Sequence, residues 1–338
     1  MSATGTYRAV QVAASGALEL TERPLADPGR GQVRLRVEAC GICHTDAGAV
    51  HPHPATEPGI VPGHEVVGII DALGEGVTRW SVGERVGVGF LGGHCGQCAS
   101  CRRGDFVNCQ DQDRTGLTID GGYAEYMVAR ETGLVAIPAE MTSVAAAPLL
   151  CAGITTFNAL LKGAPEPGDL VAIQGIGGLG HLALQYADRM GLRVAAIARG
   201  TAKEGLSTEL GADHYIDSAA TDPGDELAKL GGASVIVTTV ASGASSSSLI
   251  AGLADRGRLV VVGASSEPVT VSTGDLIGRG IAVLGSLTGT PIENERGLAF
   301  AHAQGVKALI EERPLADAAA AFDRMLSGEA RFRMVLVP

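Results

Sequence analysis

Six of the seven cysteines in this chain fall into two groups that differ in spacing. The first group lies within one glycine-rich segment, GGHCGQCASCRRGDFVNC, and consists of Cys95, Cys98, Cys101 and Cys109. Four thiolates from one loop can surround a single ion tetrahedrally, which is how proteins bind structural zinc. An iron–sulfur cluster is the alternative, but its common motif has a short gap before the last cysteine and a proline after it. Here seven residues separate the last two cysteines and Gln110 follows, so the spacing predicts structural zinc.

The second group combines Cys43 and Cys151 with His64, each inside a short motif of its own: CGICHTD, LLCAGIT and PGHEVVG. Taken singly, a cysteine is usually a small buried apolar residue and a histidine an ordinary polar one. Taken together, three ligands from distant segments leave a fourth position open, as catalytic zinc sites do. Cys40 belongs to neither group, and we expect it to be a buried free thiol.

The length and charge of the chain exclude several functional classes. With 338 residues it can form two domains, each with its own core. A net charge of -11 without a basic segment argues against a nucleic-acid partner. The sequence has neither an apolar run of about 18 residues nor a secretory signal, so no membrane association is predicted. An odd number of cysteines, clustered as metal ligands are, suits a reducing compartment, and we expect the cytoplasm.

The first half of the chain has the pattern of a β domain. From Tyr7 to about Ala152, short strand-like runs such as residues 32–37, 66–70 and 85–88 are separated by turns. Polar and apolar residues alternate in the first of these runs, as they do in a half-buried strand. This part of the sequence therefore predicts a mostly antiparallel β domain.

After this region, strands and helices alternate. The apolar run 170–174 is followed by glycines and by a helical pattern at 181–190, with Gly191 at a typical helix end. This alternation predicts a parallel sheet with helices on both faces, and it is lost after about residue 288. Further strand candidates are residues 194–197, 215–216, 235–239, 259–262 and 281–284, whereas the serines at 245–248 suit a solvated loop or a helix start. The predicted division is a metal-binding, catalytic domain of residues 1–152 and 288–338 and a dinucleotide-binding domain of residues 153–287.

A glycine-rich turn lies at the start of the second pattern. Gly175, Gly177 and Gly180 match G-x-G-x-x-G, with Gly178 and Leu179 inside the match. A single match is weak evidence, but this one follows a predicted strand and opens a predicted helix. Glycines there allow a tight turn and a close approach to a pyrophosphate, whose charge the helix N-terminus stabilises. The turn therefore predicts a dinucleotide site.

The end of the next strand indicates which dinucleotide is preferred. A site for NAD usually carries an acidic residue there, about 20 residues after the glycines. This chain has Ala198 and Arg199 instead. Loss of the carboxylate removes repulsion, and an arginine can bind a 2′-phosphate bidentately. We predict NADP(H) in preference to NAD(H), with a solvated Arg199 and use of both cofactors as the alternative.

With these motifs the chain resembles zinc-dependent medium-chain alcohol dehydrogenases over essentially its whole length. Residues 63–68 (GHEVVG), with Gly74 and Val77, fit the zinc signature of that family, and the four-cysteine loop fits its structural-zinc lobe. The likeness is greatest to the shorter microbial and yeast-type enzymes, which are typically tetramers. It implies a GroES-like, mostly antiparallel β domain, a Rossmann domain with a doubly wound parallel sheet, two zinc ions per chain, and a homo-oligomer that is a tetramer or a dimer.

The resemblance also implies roles for individual residues. Cys43, His64 and Cys151 would bind the catalytic zinc, with water or a substrate oxygen as the fourth ligand. Glu65 would be an occasional ligand of this zinc, and Asp46 would orient His64. Thr45 would accept the substrate proton, and Phe90 would line the substrate pocket. His44 and Arg333 would contact the pyrophosphate of the cofactor.

Two features depart from the family pattern. Many relatives carry a histidine five residues after the first zinc cysteine, where it completes a proton relay to solvent, but this chain has Gly48. His51 and His53 lie nearby in a different register, within the unusual loop HPHPATEP. The terminal group of the relay and the substrate preference therefore do not follow from the resemblance.

The activity implied is reversible hydride transfer between a small alcohol and NADP(H) or NAD(H), with the substrate oxygen on the catalytic zinc. Polyol dehydrogenases are an alternative, but they tend to have a carboxylate in place of Cys151. A metal-free quinone or enoyl reductase would need neither set of zinc ligands. A non-catalytic zinc- or nucleotide-binding protein is the remaining alternative, because fold alone does not determine function.

Overall fold

The computed structural model describes residues 5–51 and 59–338. Within it the chain forms two compact units. The first unit runs to Ile154 and also contains Gly289–Ala303 and Lys307–Pro338, and the second contains Thr155–Thr288 and Gln304–Val306. Each unit has its own sheet and its own buried apolar cluster.

Strands dominate the first unit, and strands alternate with helices in the second. The strands are β1 (Thr6–Val12), β2 (Leu18–Pro24), β3 (Gln32–Ile42), β4 (Glu65–Leu73), β5 (Arg85–Val88), β6 (Leu91–Gly93), β7 (Asp113–Arg114), β8 (Tyr126–Arg130), β9 (Leu134–Ala136), β10 (Leu170–Gln174), β11 (Arg193–Ala198), β12 (His214–Asp217), β13 (Ala233–Thr238), β14 (Leu253–Val261), β15 (Ala282–Gly285), β16 (Ile310–Pro314) and β17 (Arg333–Val337). The α-helices are α1 (Ala47–Val50), α2 (Ala99–Arg102), α3 (Ser143–Ala146), α4 (Ala152–Gly163), α5 (Gly180–Arg189), α6 (Glu204–Glu209), α7 (Pro223–Lys229), α8 (Gly243–Ser247), α9 (Thr273–Gly278), α10 (Pro291–Gln304) and α11 (Ala318–Leu326).

A seven-stranded sheet forms the frame of the first unit. Its order is β16-β17-β3-β4-β5-β9, with β8 also paired to β3, and all pairs except β16 with β17 are antiparallel. The predicted strands at 32–37, 66–70 and 85–88 are confirmed as parts of β3, β4 and β5. Alternation along β3 buries Val33 and Leu35 in the core, because successive side chains of a strand point to opposite faces.

The second unit contains a six-stranded, wholly parallel sheet, as predicted. Its strand order is β12-β11-β10-β13-β14-β15. The chain leaves β10 toward one edge of the sheet and β13 toward the other, and crossovers of the usual right hand would put the helices after these strands on opposite faces. Both central strands are buried, as strands covered on both faces are. The order reverses between β10 and β13, and open α/β sheets bind ligands at such a switch point.

Two local predictions in the second unit had different outcomes. The predicted helix is confirmed as α5, and Gly191 follows it with a φ of 78°, a left-handed conformation that glycine adopts readily. The serine run was predicted as a solvated loop or a helix start, and the helix start is confirmed, because residues 245–247 lie in the short helix α8 and Ser248 caps its end. Solvation is wrong for Ser246, which is buried with its hydroxyl 3.1 Å from that of Thr238.

The C-terminal stretch returns to the first unit, as the loss of strand–helix alternation predicted. Strands β16 and β17 extend the first unit's sheet, and β17 pairs with β3. Residues 304–306 are the exception, because they group with the second unit.

The helices also bear on the question of a membrane span. No single helix among the described residues is long and apolar enough to cross a membrane. Ser143–Leu150 and Ala152–Gly163 reach that length only as a pair, and the pair is bent by 47°. Residues 146–160 of this pair are buried within the protein.

Candidate active site

The pairing of β3 with β4 brings two predicted ligands to one end of the first unit's sheet. Gly41 of β3 lies opposite Glu65 of β4 in antiparallel register. Cys43 directly follows β3 and His64 directly precedes β4, so the two residues are neighbours at the sheet end. Cys151 reaches the same place from a distant segment, and its sulfur lies 3.8 Å from that of Cys43.

The spacing of these residues fits a tetrahedral zinc ion. One donor atom from each of four residues lies within 4.8 Å of the other three, the four being Cys43, His64, Glu65 and Cys151. The sulfur–sulfur distance of 3.8 Å matches the edge of a tetrahedron with Zn–S bonds of about 2.3 Å. Nε2 of His64 is buried without a hydrogen-bond partner among the described residues, so its lone pair is available to a metal.

Asp46 holds this arrangement from behind. Its Oδ1 lies 2.8 Å from Nδ1 of His64, and its Oδ2 accepts hydrogen bonds from the backbone of Cys43 and from the hydroxyl of Tyr123, both at 2.8 Å. Because the Asp46 carboxylate lies against Nδ1, it favours a proton on that nitrogen, and loss of the other imidazole proton on metal binding would leave the Nε2 lone pair for the metal. This geometry is the one expected of the predicted partner of His64. Tyr123 has no counterpart in the sequence patterns, since it lies 77 residues from Asp46.

A buried ion pair lies beside the same cluster. The Arg333 guanidinium donates to the Glu65 carboxylate and, at 3.0 Å, to the carbonyl of Ile42. Burial raises the pKa of Glu65 to about 7, against the opposing effect of the Arg333 charge. Oε2 of Glu65 has no hydrogen-bond partner in the described chain, so this atom is available to a cation in the cluster. The contact of Arg333 with a pyrophosphate stays a prediction.

Without a metal, the pKa values of the two cysteines in this cluster are shifted in opposite directions. The hydrogen bond from Cys151 holds the pKa of Cys43 well below its usual range, and the charges of His64 and Arg333 add to this effect. The same bond and burial raise the pKa of Cys151. Burial lowers the pKa of His64, but the charges of Asp46 and Cys43 outweigh it and keep the pKa well above its usual range. Zinc binding would release the remaining thiol and imidazole protons, because metal ligands are deprotonated.

Three further predicted residues lie around the cluster. The Phe90 ring packs edge-on against the His64 ring, with centroids 5.4 Å apart. His44 and Thr45 belong to a short 3-10 helix that starts directly after Cys43, and both are exposed. Phe90 therefore borders the cluster, whereas His44 and Thr45 are placed near it only by following Cys43 in the chain.

The end of the predicted proton relay has no side chain. Gly48 is exposed within α1, and a Cβ atom there would meet only Leu117, at 3.7 Å. His51 is exposed after the same helix. His53 lies outside the described residues, as does most of the HPHPATEP loop.

The four-cysteine group lies together in one loop of the first unit. Its sulfur–sulfur distances include 3.7 Å between Cys95 and Cys109 and 4.0 Å between Cys98 and Cys109, again close to a zinc tetrahedron edge. Backbone N–H groups of the loop lie 3.4 to 3.5 Å from the sulfurs, which favours thiolates. Hydrogen bonds from the backbone of Cys101 and Gln110 lower the pKa of Cys98 to about 6. The loop fits one tetrahedrally bound zinc ion.

The predicted glycine turn joins β10 to α5 in the second unit. Gly175 has a φ of 88°, and a Cβ atom on Gly180 would lie 1.8 Å from the Gly175 carbonyl oxygen, so both positions require glycine. Space is open around Gly177. The turn, including Gly178 and Leu179, lines a pocket of about 270 Å3.

A larger pocket of about 690 Å3 adjoins the turn at the end of β11. Ala198, Arg199 and Lys203 line it, and no carboxylate is among its lining residues in the described chain. Lys203, which the sequence patterns did not indicate, donates a hydrogen bond to the Ile176 carbonyl at 2.6 Å. The only signal for it in the sequence is a second cation four residues after Arg199. The lining therefore contains two cationic side chains and no carboxylate among the described residues.

Comparison with known proteins identifies the family. Residues 29–139 match the sequence profile described as "Alcohol dehydrogenase GroES-like domain", and residues 178–303 match "Zinc-binding dehydrogenase". The chain is 42% identical to alcohol dehydrogenase notN of Aspergillus sp. (strain MF297-2), over 99% of both chains. It is 40% identical to an alcohol dehydrogenase of Geobacillus stearothermophilus, over 90% of this chain and 92% of the relative. The chain belongs to the zinc-dependent medium-chain alcohol dehydrogenase family.

A solved structure of a related enzyme has the same fold. The cinnamyl alcohol dehydrogenase of Sorghum bicolor superposes with a TM-score of 0.88 at 32% identity, over 98% of both chains. The predicted fold of a GroES-like β domain with a Rossmann domain is thereby confirmed for this zinc-dependent alcohol dehydrogenase family member. Among the described residues, the members of each predicted ligand set lie close together in the structure. Asp46 and Glu65 lie beside the set formed by Cys43, His64 and Cys151.

The close approach of Gly41 to Glu65 generates a prediction about stability. A Cβ atom on Gly41 would lie 1.9 Å from Oε2 of Glu65, whose carboxylate is held by Arg333. We expect Gly41→Ala to lower the free energy of unfolding by about 1–3 kcal/mol, the usual effect of overpacking a core, and to lower the Tm in calorimetry.

Gly205→Ala is the matched control. Gly205 is exposed in α6 with no neighbouring atom that a Cβ would meet. Alanine there should leave the Tm unchanged or raise it, because it reduces the freedom of the unfolded chain. An unchanged Tm in Gly41→Ala would contradict the prediction, because it would show that the Glu65 carboxylate can move away from a Cβ atom at position 41 without loss of stability.

Proposed function

We propose that this protein is an alcohol dehydrogenase that transfers hydride reversibly between a small-molecule alcohol and NADP(H) or NAD(H). The observation that carries the proposal is the buried cluster of Cys43, His64 and Cys151, in which Nε2 of His64 has no hydrogen-bond partner among the described residues. Both relatives compared above are named alcohol dehydrogenases. The polyol alternative is disfavoured because Cys151 supplies a sulfur rather than a carboxylate.

The residues of the cluster have distinct tasks in this reaction. Zinc held by the two cysteines and His64 would supply a Lewis acid, which favours alcohol deprotonation and polarises a carbonyl in the reverse direction. Asp46 keeps the proton of His64 on Nδ1. The Thr45 hydroxyl would take the substrate proton as it gives its own proton away, and because Gly48 has no side chain to receive that proton, we propose that it passes to water. A nicotinamide dinucleotide bound in the second unit would supply the hydride chemistry.

We propose two zinc ions per chain, one in each ligand set. The second ion would have only structural consequences, because four cysteines occupy all of its tetrahedral positions. Its removal should therefore affect folding of the loop rather than the chemical step.

One cysteine from each set separates these roles. Cys151→Ser should lower the turnover of alcohol oxidation by at least about 100-fold, since it removes a ligand of the catalytic metal, and should leave the fold intact. Cys98→Ser should mainly lower the Tm. Zinc analysis should give two ions for the wild type and one for each variant, and initial rates over primary, secondary and aromatic alcohols would measure turnover.

Cys40→Ser is the control, because Cys40 is buried in the same unit but belongs to neither set. It should retain both zinc ions and wild-type turnover. Wild-type turnover in Cys151→Ser would place the catalytic site elsewhere. Iron in the purified wild-type protein would refute both metal assignments.

We propose NADP(H) as the preferred cofactor. The pocket after β11 has Arg199 and Lys203 in its lining and no acidic residue, so it would attract a 2′-phosphate rather than a neutral ribose hydroxyl. A charge-assisted hydrogen bond contributes about 1.5–3 kcal/mol, or roughly one to two decades in affinity. His44 and Arg333 are proposed to contact the pyrophosphate.

Reversal of the charge at Arg199 tests this preference. Arg199→Asp should lower the ratio of kcat/KM for NADP to that for NAD by about 10–100-fold, because it removes a phosphate ligand and adds repulsion. Arg193→Asp makes the same charge change at the exposed start of β11, outside the pocket lining, and should leave the ratio unchanged. Equal ratios in the wild type and Arg199→Asp would remove Arg199 from cofactor selection.

We also propose a homo-oligomer assembled through β15. This strand is an edge of the second unit's sheet, paired only with β14 among the described strands. In the segments that precede and follow it in the chain, Ile277 is 85% exposed and Leu287 is 57% exposed, an unusual degree for large apolar side chains. An unpaired edge with an apolar surround is a ready template for pairing with a second copy. The choice between tetramer and dimer and the cytoplasmic location stay predictions.

A charge at this edge should weaken the assembly. Ile277→Asp combined with Leu287→Asp should shift the molar mass from light scattering toward the monomer, because association would bury two carboxylates. Val82→Asp, at another exposed apolar side chain in the first unit, is the control and should keep the wild-type mass. An unchanged mass in the double variant would exclude β15 as the interface.

A further inference from the structure

Three carbonyl groups of the glycine turn face side-chain donors. Three successive carbonyls, those of residues 175–177, each accept a hydrogen bond from a different segment of the second unit: the residue after β13, the residue before α6 and the first turn of α5. The donor–acceptor pairs are Thr239 Oγ1 with Gly175 (2.9 Å), Lys203 Nζ with Ile176 (2.6 Å) and His181 Nδ1 with Gly177 (2.9 Å). The turn is therefore held from its carbonyl side.

His181 makes the contact nearest to the start of α5. Its side chain is fully buried, which is unusual for a histidine outside the metal cluster. Because a carbonyl oxygen can only accept, Nδ1 of His181 carries a proton. The backbone N–H of His181 also donates to the Gly177 carbonyl, at 3.1 Å, so this oxygen has two donors from one residue.

Orientation of the Gly177 carbonyl sets the direction of the next amide. The peptide bond between Gly177 and Gly178 is trans, and a planar trans peptide points its C=O and N–H in opposite directions. With the carbonyl turned to His181, the Gly178 N–H points away from it. Both glycines line the pocket of the turn, and no described residue accepts a hydrogen bond from either amide. These amides are available to a ligand anion.

The two glycines also make this peptide easy to rotate. Turning a peptide plane changes ψ of the residue before it and φ of the residue after it, and neither glycine has a Cβ to resist. A rotated plane would direct the Gly177 carbonyl oxygen, instead of an N–H group, at a bound phosphate. A contact that prevents this rotation would favour anion binding without touching the anion.

We propose that His181 is a positioning residue for the dinucleotide: its Nδ1–H holds the Gly177 carbonyl inward and so directs the Gly178 amide at the cofactor pyrophosphate. This proposal rests on the proposed use of a nicotinamide dinucleotide. The helix N-terminus supplies the field that attracts the anion, and His181 fixes the amide that meets it. His181 itself does not contact the pyrophosphate.

Three substitutions separate the donor from the shape of the side chain. His181→Phe keeps a ring of similar size and removes the donor, and His181→Leu removes it with a smaller side chain. His181→Asn retains an N–H donor close to the position of Nδ1. The Kd values of NADPH and NADH would be measured by calorimetry for each variant. The Kd values of adenosine and 2′-AMP would be measured as controls, because these fragments lack the 5′-phosphate and so cannot contact the glycine turn through a pyrophosphate. Circular dichroism would select the folded variants.

A donor role predicts a selective loss of affinity. The donorless variants should raise the Kd for the dinucleotide about three- to tenfold, the range for one neutral hydrogen bond, while the backbone bond remains. The Kd for adenosine and 2′-AMP should stay within about twofold, and His181→Asn should restore dinucleotide binding. In turnover, KM for the cofactor should rise while kcat at saturating cofactor stays unchanged.

Two results would overturn the proposal. One is wild-type dinucleotide affinity in a folded donorless variant. The other is an equal loss for the dinucleotide and for the fragments, which would indicate a general packing role. If the wild-type protein bound neither NADPH nor NADH, the proposed function would fail before the role of His181 is reached, so the two failures are distinguishable.

Discussion

The antiparallel register of β3 and β4 is the constraint on which the active site depends. Because Gly41 pairs with Glu65, the chain leaves β3 at Cys43 beside the point where His64 enters β4. A slip of one residue would turn every side chain of the strand to the other face. The same pairing leaves the Glu65 carboxylate in a space that only a glycine provides. The register of the sheet therefore determines that Cys43 and His64 lie close enough to bind one metal ion.

Burial of charge beside this register explains the chemistry of the cluster. Glu65, Arg333 and His64 are all buried, and buried ionised groups are unfavourable unless they are paired or bind a metal. The pair of Glu65 with Arg333 satisfies one such need, and Asp46 satisfies the imidazole of His64. Two sulfurs, Nε2 of His64 and Oε2 of Glu65 remain close together, and the last two atoms have no hydrogen-bond partner among the described residues. These atoms would hold a divalent cation, which would satisfy the unpartnered donors.

Much of this could be predicted because the signals are local. Each metal ligand lies in a short string of its own, and the four cysteines of the lobe lie within one loop. The glycine turn and α5 are contiguous, so a pattern of a few residues indicates both. The serine run shows the limit: its composition suggests solvation, but Ser246 lies against Thr238 of a neighbouring strand. Local composition could not indicate that neighbour.

The sequence by itself determined the donor types, their spacing and the absence of an acidic residue after β11, because these are properties of adjacent positions. Only the tertiary structure decided that Tyr123 supports Asp46 and that Arg333 lies against Glu65, 268 residues away. It also placed His181 against the carbonyl of Gly177, a contact that the glycine pattern does not contain. Such contacts depend on strand register and on the direction of single peptide planes. Those directions follow from packing among distant segments, which a linear pattern does not record.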